Sequence, residues 1–161
     1  MADSETHSID EAIAFFDGLA AAVRRGAAEG VREGTEVVLA ATREIVGHYQ
    51  QNDLGSADPW EELSDWTKQD RGRQGYPENL PGLRDGTMRD SYTATSRGLH
   101  GQVGSGSLNA FWFELGTDAS SRGGPQPPRM VLGLAAWRNR EKVVMLIGTH
   151  INRAILEAMR R

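Results

Sequence analysis

IDEAIAFFDGLAAAVRRGAAEGVREGTEVVLAATREIVGHYQQ, residues 9–51, is the stretch on which the fold turns. Its apolar residues Ile9, Ile13, Phe16, Leu19 or Ala20, Val23, Ala27 and Val31 recur three or four apart, and Val38, Ile45 and Tyr49 continue the series. That spacing is helical, because positions three and four apart share a face at 3.6 residues per turn. Ser8 offers an N-cap hydroxyl and Glu11 follows three residues later, the pattern of a capping box. A single helix over residues 1–51 is therefore expected, about 60 Å long if unbroken at 1.5 Å per residue. Gly26, Gly30 and Gly34 lie inside it on nearly one face. Each costs about 1 kcal/mol against Ala in a helix interior. Two readings are open: a weak point or kink, or a close approach by a neighbouring chain.

Asn52–Pro59 carries turn residues (Asp53, Gly55, Ser56, Asp58, Pro59) and ends the helical pattern. Residues 52–90 read as a polar, Gly- and Pro-rich loop with a short helical turn from Trp60 to Lys68. Ser91–Thr95 and Gly101–Gly104 read as two strands of a hairpin that turns near Arg97–Gly98. Asn109–Leu115 (NAFWFEL) has high β-propensity and reads as a third strand. Residues 116–128 read as a mobile loop. Arg129–Leu134 reads as a fourth strand or the entry to a helix. From Asn139 to Met159, Val144, Ile147, Ile151, Ala154, Ile155 and Ala158 repeat at helical spacing, so 139–160 is expected to be the C-terminal helix. The expected whole is one α+β domain, 1–161. It has a long N-terminal helix, an antiparallel sheet of about four strands over 91–134, and a C-terminal helix packed on that sheet.

Composition narrows the chemistry. The chain has 161 residues, 39% hydrophobic and 25% charged, enough for one modest core. It contains no Cys, which excludes disulfides, thiolate metal sites and a cysteine nucleophile. No apolar run approaches membrane-span length, and MADSETHSID is acidic and polar, unlike a signal peptide, so no membrane association is expected. Charge is uneven: residues 1–50 carry nine acids and four bases, 51–119 eleven and six, and 120–161 two and eight. The basic quarter either packs near the acidic N-terminal helix or docks copies plus against minus. DNA binding or a regulatory role through the basic C-terminal segment is the alternative.

No catalytic set stands out. His7, His48, His100 and His150 lack metal-ligand spacing. Gly104-Ser105-Gly106 has no following Gly-Lys-Ser/Thr and reads as a turn. Glu61, Glu62 and Asp65 read as a solvated face of a turn. No enzyme activity, metal or cofactor is therefore expected.

The pieces W-x-x-L-S-x-x-T from Trp60, Pro81-Gly82-Leu83-Arg84-Asp85-Gly86-Thr87-Met88-Arg89-Asp90-Ser91, Val103-Gly104, Ala110-Phe111-Trp112-Phe113-Glu114-Leu115-Gly116-Thr117 and Pro127-Pro128-Arg129-Met130-Val131-Leu132 follow in order. Together they resemble the tail-completion and virion-morphogenesis proteins of tailed bacteriophages. The likeness covers roughly residues 59–135. It departs from the family's Thr-Gly-x-Leu at Asp85-Gly86-Thr87-Met88, from its Tyr-Ala at Asn109-Ala110, and from its Phe-Leu ending at Met130-Val131-Leu132.

The resemblance implies a structural virion protein of the neck or tail, made in the bacterial host cytoplasm. It implies a ring of six or twelve copies that joins the head connector or stopper protein to the tail terminator or tail tube protein. Genome DNA would pass through the ring without sequence-specific binding, and an acidic lumen would suit that passage. As a strand, 109–115 would place Phe111 and Phe113 on one face and Trp112 on the other. The expected assembly interface is Phe111, Trp112, Phe113, Glu114, Arg129, Arg138 and Arg140. The expected mobile docking loops carry Trp60, Trp66, Arg84, Arg89 and Arg122. Gly86 is expected to allow a tight turn before the first strand.

Overall fold

The computed structural model describes residues 8–55, 57–118 and 124–160. Its elements in chain order are α1 (Ile9–Ile45), α2 (Asp65–Arg73), α3 (Thr87–Asp90), β1 (Tyr92–Arg97), β2 (His100–Ser105), α4 (Leu108–Leu115) and α5 (Leu132–Ala158).

The capping box forms as the sequence requires. Ser8 N–H donates to Glu11 Oε2 at 2.8 Å, and Glu11 N–H donates to Ser8 Oγ at 3.2 Å. From there α1 runs unbroken for 37 residues. It stops at Ile45, six residues before the expected end, because the chain turns at Gly47 (φ +96°), whose N–H donates to Pro81 O at 2.8 Å. His48 thus lies in a turn rather than in a helix.

The glycine stripe explains what α1 meets. Ala22, Gly26, Gly30 and Gly34 are all buried. Gly26 faces the backbone at His150 and Ile151, Gly30 faces Ile147, and Gly34 faces the Val143 side chain. The partner numbers fall as the α1 numbers rise, so α5 lies antiparallel along α1. A methyl at Gly30 would sit 2.5 Å from Ile147 Cα, and one at Gly26 would sit 2.6 Å from His150 O. The glycines are therefore neither a kink nor a seat for another chain. They let the protein's own C-terminal helix approach closely, as small residues at a helix crossing do. This is the internal reading of the charge pattern: the basic segment packs beside the acidic N-terminal helix. His150 Nε2 meets Glu33 Oε2 across the seam at 2.7 Å.

The sheet has two strands, not about four. β1 and β2 pair antiparallel from Tyr92↔Ser105 to Arg97↔His100, turning through Gly98 and Leu99. The hairpin lies on α1, with Gly101 against Thr35 and Val31. The expected third strand is α4. Its backbone closes i to i+4 bonds, Phe111 N–H to Ser107 O at 3.2 Å and Gly116 N–H to Trp112 O at 2.8 Å. The expected fourth strand, Arg129–Leu134, is the entry to α5, which starts seven residues before Asn139. Accordingly α5 packs on α1, not on the sheet. Residues 52–90 hold α2 and α3 as well as loop, and Gly86 (φ +88°) precedes α3, which leads directly into β1.

The core sits at one end of the α1–α5 pair. Leu39, Ile45 and Val46 meet Trp60, Met88, Tyr92, Ala110, Val131, Leu134 and Ala135 there. The other end, the start of α1 and the end of α5, projects from this core as a two-helix arm.

Candidate functional site

The arrangement of α4 follows from its ends and its inner face. Gly116 (φ +74°) ends it, and Thr117 then bridges to Gln126. Ala110 is buried in the core, and Phe113 packs edge-on against Trp60 with ring centroids 5.5 Å apart. Glu114 also points inward. Its Oε2 accepts from Val131 N–H at 2.7 Å and Leu132 N–H at 3.0 Å, and its Oε1 accepts from Gly133 N–H at 2.8 Å. One carboxylate thus satisfies three of the orphan donors at the start of α5, where the helix dipole also favours negative charge. Tyr92 is buried nearby, and burial first, then the Glu114 charge, pushes its phenol up to about 12.

The outer face of α4 is left bare. Leu108 is 71% exposed, Phe111 50%, Trp112 46% and Leu115 62%. These positions follow the i, i+3, i+4, i+7 spacing of one helical stripe. The Phe111 and Trp112 rings stack edge to face at 5.1 Å between centroids. Four large apolar side chains on two turns of helix form a patch of the kind that marks an interaction surface.

The other expected interface residues divide. Arg129 is buried: its Nη2 donates to Glu61 O at 2.9 Å, and its guanidinium lies 5.7 Å from the Phe113 ring centroid. Burial holds its pKa below the usual arginine value. Arg138 clamps the turn after α1. It donates to Asp53 O at 3.0 Å, Gln50 Oε1 at 2.8 Å and Asn52 O at 2.6 Å. Phe113, Glu114, Arg129 and Arg138 therefore make contacts within the chain that hold the fold together. Arg140 remains outward, over the Trp137 ring at 4.6 Å and beside Glu141 at 3.4 Å.

Of the expected docking loops, Trp60 is a core residue at 2% exposure. Trp66 is exposed on α2. Arg84 bonds to Gln74 and lies 4.6 Å from the Tyr76 centroid, and Arg89 pairs with Asp90 at 2.8 Å. Arg122 lies outside the described residues, as do 119–123 of the expected mobile loop. The described ends of that loop are tied by the Thr117–Gln126 bridge and by Thr117 Oγ1 donating to Gly124 O at 2.9 Å. Glu61, Glu62 and Asp65 are exposed as expected, and the Lys68 ammonium holds the Glu62 carboxyl below its usual range.

Sequence reasoning missed Leu108 and Leu115. Their signal was present in the spacing with Phe111 and Trp112, but the aromatic content of the segment favoured a strand. Among the described residues no three His, Asp or Glu side chains converge as a metal site, and no helix is long and apolar enough to cross a membrane. No family model, curated protein or solved structure matches the chain.

Proposed function

We propose that this protein is a structural component of a phage-like particle. It acts at the junction of head and tail by docking against copies of itself and against the flanking connector and tail proteins. The ordered motifs from Trp60 to Leu132 suggest the class. The single observation that carries the mechanism is the bare stripe Leu108, Phe111, Trp112 and Leu115 on α4. Burying such side chains against a partner contributes roughly 1.5–3 kcal/mol each when burial is complete. Docking is then associative: α4 supplies the apolar contact, and the helices and hairpin behind it hold that contact rigid. An acidic channel wall, if copies close into a ring, lets DNA slide by because like charges repel the phosphates. The alternative of DNA binding through residues 122–161 loses Arg129, which is buried, and Arg138, which is tied to the turn after α1.

The test is made in a tailed particle whose gene set encodes this chain. Deleting the gene is expected to leave filled heads and finished tails unjoined. Replacing Leu108 and Leu115 together by Lys, two exposed positions, is expected to reproduce that phenotype with unchanged helicity. Normal particles from the deletion would refute the virion role. Normal particles from the double Lys variant alone would refute the role of α4.

A further inference from the structure

Three guanidinium groups gather beside the turn after α1, where α2 and the chain that follows it fold back. Tyr49 marks the place. Its hydroxyl donates to Asn79 Oδ1 at 2.6 Å and accepts from Leu63 N–H at 2.9 Å. Arg129 Nη2 donates to Glu61 O at 2.9 Å, two residues before Leu63. Arg71 Nη1 donates to Leu80 O at 2.7 Å, one residue after Asn79. Two arginines are thus anchored beside one phenol. Arg84 joins them from the turn that closes α2. It bonds to Gln74 and lies over the Tyr76 ring, and the N–H groups of Gln74 and Tyr76 both donate to Arg71 O at 3.0 Å. Burial first, then the Arg84 charge and to a lesser degree the Arg129 charge, hold Arg71 below the ordinary arginine value.

The acids around this corner are engaged elsewhere or stand apart. Glu62 and Asp65 pair with Lys68 at 2.7 and 3.9 Å, Asp70 accepts from Gln74 Nε2 at 2.8 Å, and Glu78 lies over Gly72. Glu61 and Asp85 act on Arg129 and Arg84 only at longer range, neither within 4 Å. Among the described residues none of the three arginines makes an ion pair. Arg129 adds an independent sign. It is 6% exposed, yet its Nε has no acceptor, and neither has the enclosed Trp60 Nε1, which packs on the same Phe113 ring. Its Nη1 has no partner among the described residues and is not enclosed. This corner is short of acceptors and of negative charge, and a buried cation without a counter-charge is costly.

We propose that Arg71, Arg84 and Arg129 form a binding site for one phosphate group. Planar guanidinium forks match phosphate oxygens, and three cations suit a dianion better than the single charge of a carboxylate. Arg129 supplies a fixed base held by the core, Arg71 the half-buried wall, and exposed Arg84 the outer contact. The inference stands on these residues and does not depend on the virion role.

Calorimetric titration of the full chain with inorganic phosphate at pH 7.5 tests it, with chloride holding the ionic strength constant. The expected result is saturable binding of one phosphate per chain, with shifts of the arginine side-chain N–H signals in nuclear magnetic resonance. Arg71→Gln and Arg84→Gln are each expected to weaken binding by about tenfold or more, and Arg71→Lys, which keeps the charge and loses the fork, by less. Arg32→Gln, on α1 and paired with Glu29 at 2.7 Å, is expected to bind as the parent does. Arg84 is exposed, so its variant decides the matter if Arg71→Gln lowers the helicity. Binding of inorganic phosphate alone assigns the free anion; equal binding of glycerol 3-phosphate assigns a terminal phosphate ester. No saturable binding of either, binding untouched by both Gln variants, or acetate bound as tightly as phosphate would each overturn the inference.

Discussion

Replacing Gly30 by Ala sets two opposing effects against each other, and the structure decides which wins. In an exposed helix interior the change stabilises by about 1 kcal/mol, because Gly loses more backbone freedom on folding than Ala. At Gly30 the added methyl falls 2.5 Å from Ile147 Cα. An ordinary carbon–carbon contact needs about 3.5–4 Å, so α1 and α5 must part by roughly 1 Å. That obstacle is backbone and cannot turn aside as a side chain can. The start of α5 is moreover held by Glu114 and Arg138. Overpacking of this kind costs about 1–3 kcal/mol, and a rigid neighbour puts it near the upper figure. The net expectation is a loss of about 1–2 kcal/mol, or a fall in Tm of about 2–8 °C for a chain of this size.

Gly18 supplies the control on the same helix. Nothing lies within 4 Å of a methyl there, so Gly18→Ala keeps only the favourable effect and raises Tm by about 2–4 °C. Gly34→Ala belongs between the two, because its methyl meets a Val143 side-chain methyl rather than backbone. Thermal and urea unfolding followed by far-ultraviolet circular dichroism reads all three. A Gly30→Ala protein as stable as the parent would show that α5 does not lie against α1 at this point, and the fold described above would be wrong there.

Glu114→Ala strips the acceptors from Val131, Leu132 and Gly133. Loss of a cap together with its favourable place in the helix dipole is expected to cost about 1–3 kcal/mol in urea unfolding, with Glu114→Gln between Ala and the parent. Tyr92 sets an alkaline limit. Its folded pKa of about 12 lies above the unfolded value near 10, so its contribution is intact below pH 10 and is lost as pH rises towards 12. Absorbance titration is expected to show one of the three tyrosines ionising together with unfolding, and Tyr92→Phe is expected to remove that coupling.

How far the sequence was legible depends on where the deciding information lies. The Ser8–Glu11 cap and the long α1 pattern are local; the cap formed as read, and the helix formed but ends at Ile45 rather than at residue 51. The hairpin is local too, since its strands are joined by two residues. The role of Gly26, Gly30 and Gly34 is not local. Their spacing marks a face but says nothing of what lies opposite, and the answer came from residues 143–151. The entry to α5 is likewise set from a distance, by a carboxylate seventeen to nineteen positions upstream. Arg129 and Arg138 read as surface charges because arginine is usually exposed. Each is instead drawn inward by backbone carbonyls in a loop far away in sequence.

The segment 108–115 shows why its secondary structure bears on function as well as on fold. As a strand it would divide its apolar residues between two faces, with a helix expected to cover at least one. As a helix it gathers Leu108, Phe111, Trp112 and Leu115 on one side and sends Ala110, Phe113 and Glu114 to the other. The inner side is the less apolar of the two, the reverse of an ordinary surface helix. Eight residues are also too few to hold a helix alone in water, so α4 is held by Ala110 in the core, by Phe113 on Trp60, by Glu114 on α5 and by Gly116 at its end. Those inner contacts fix the orientation of an outward face whose apolar side chains are only partly covered within the monomer. In the proposed docking, the burial that this short helix lacks within the monomer is what a partner surface would provide.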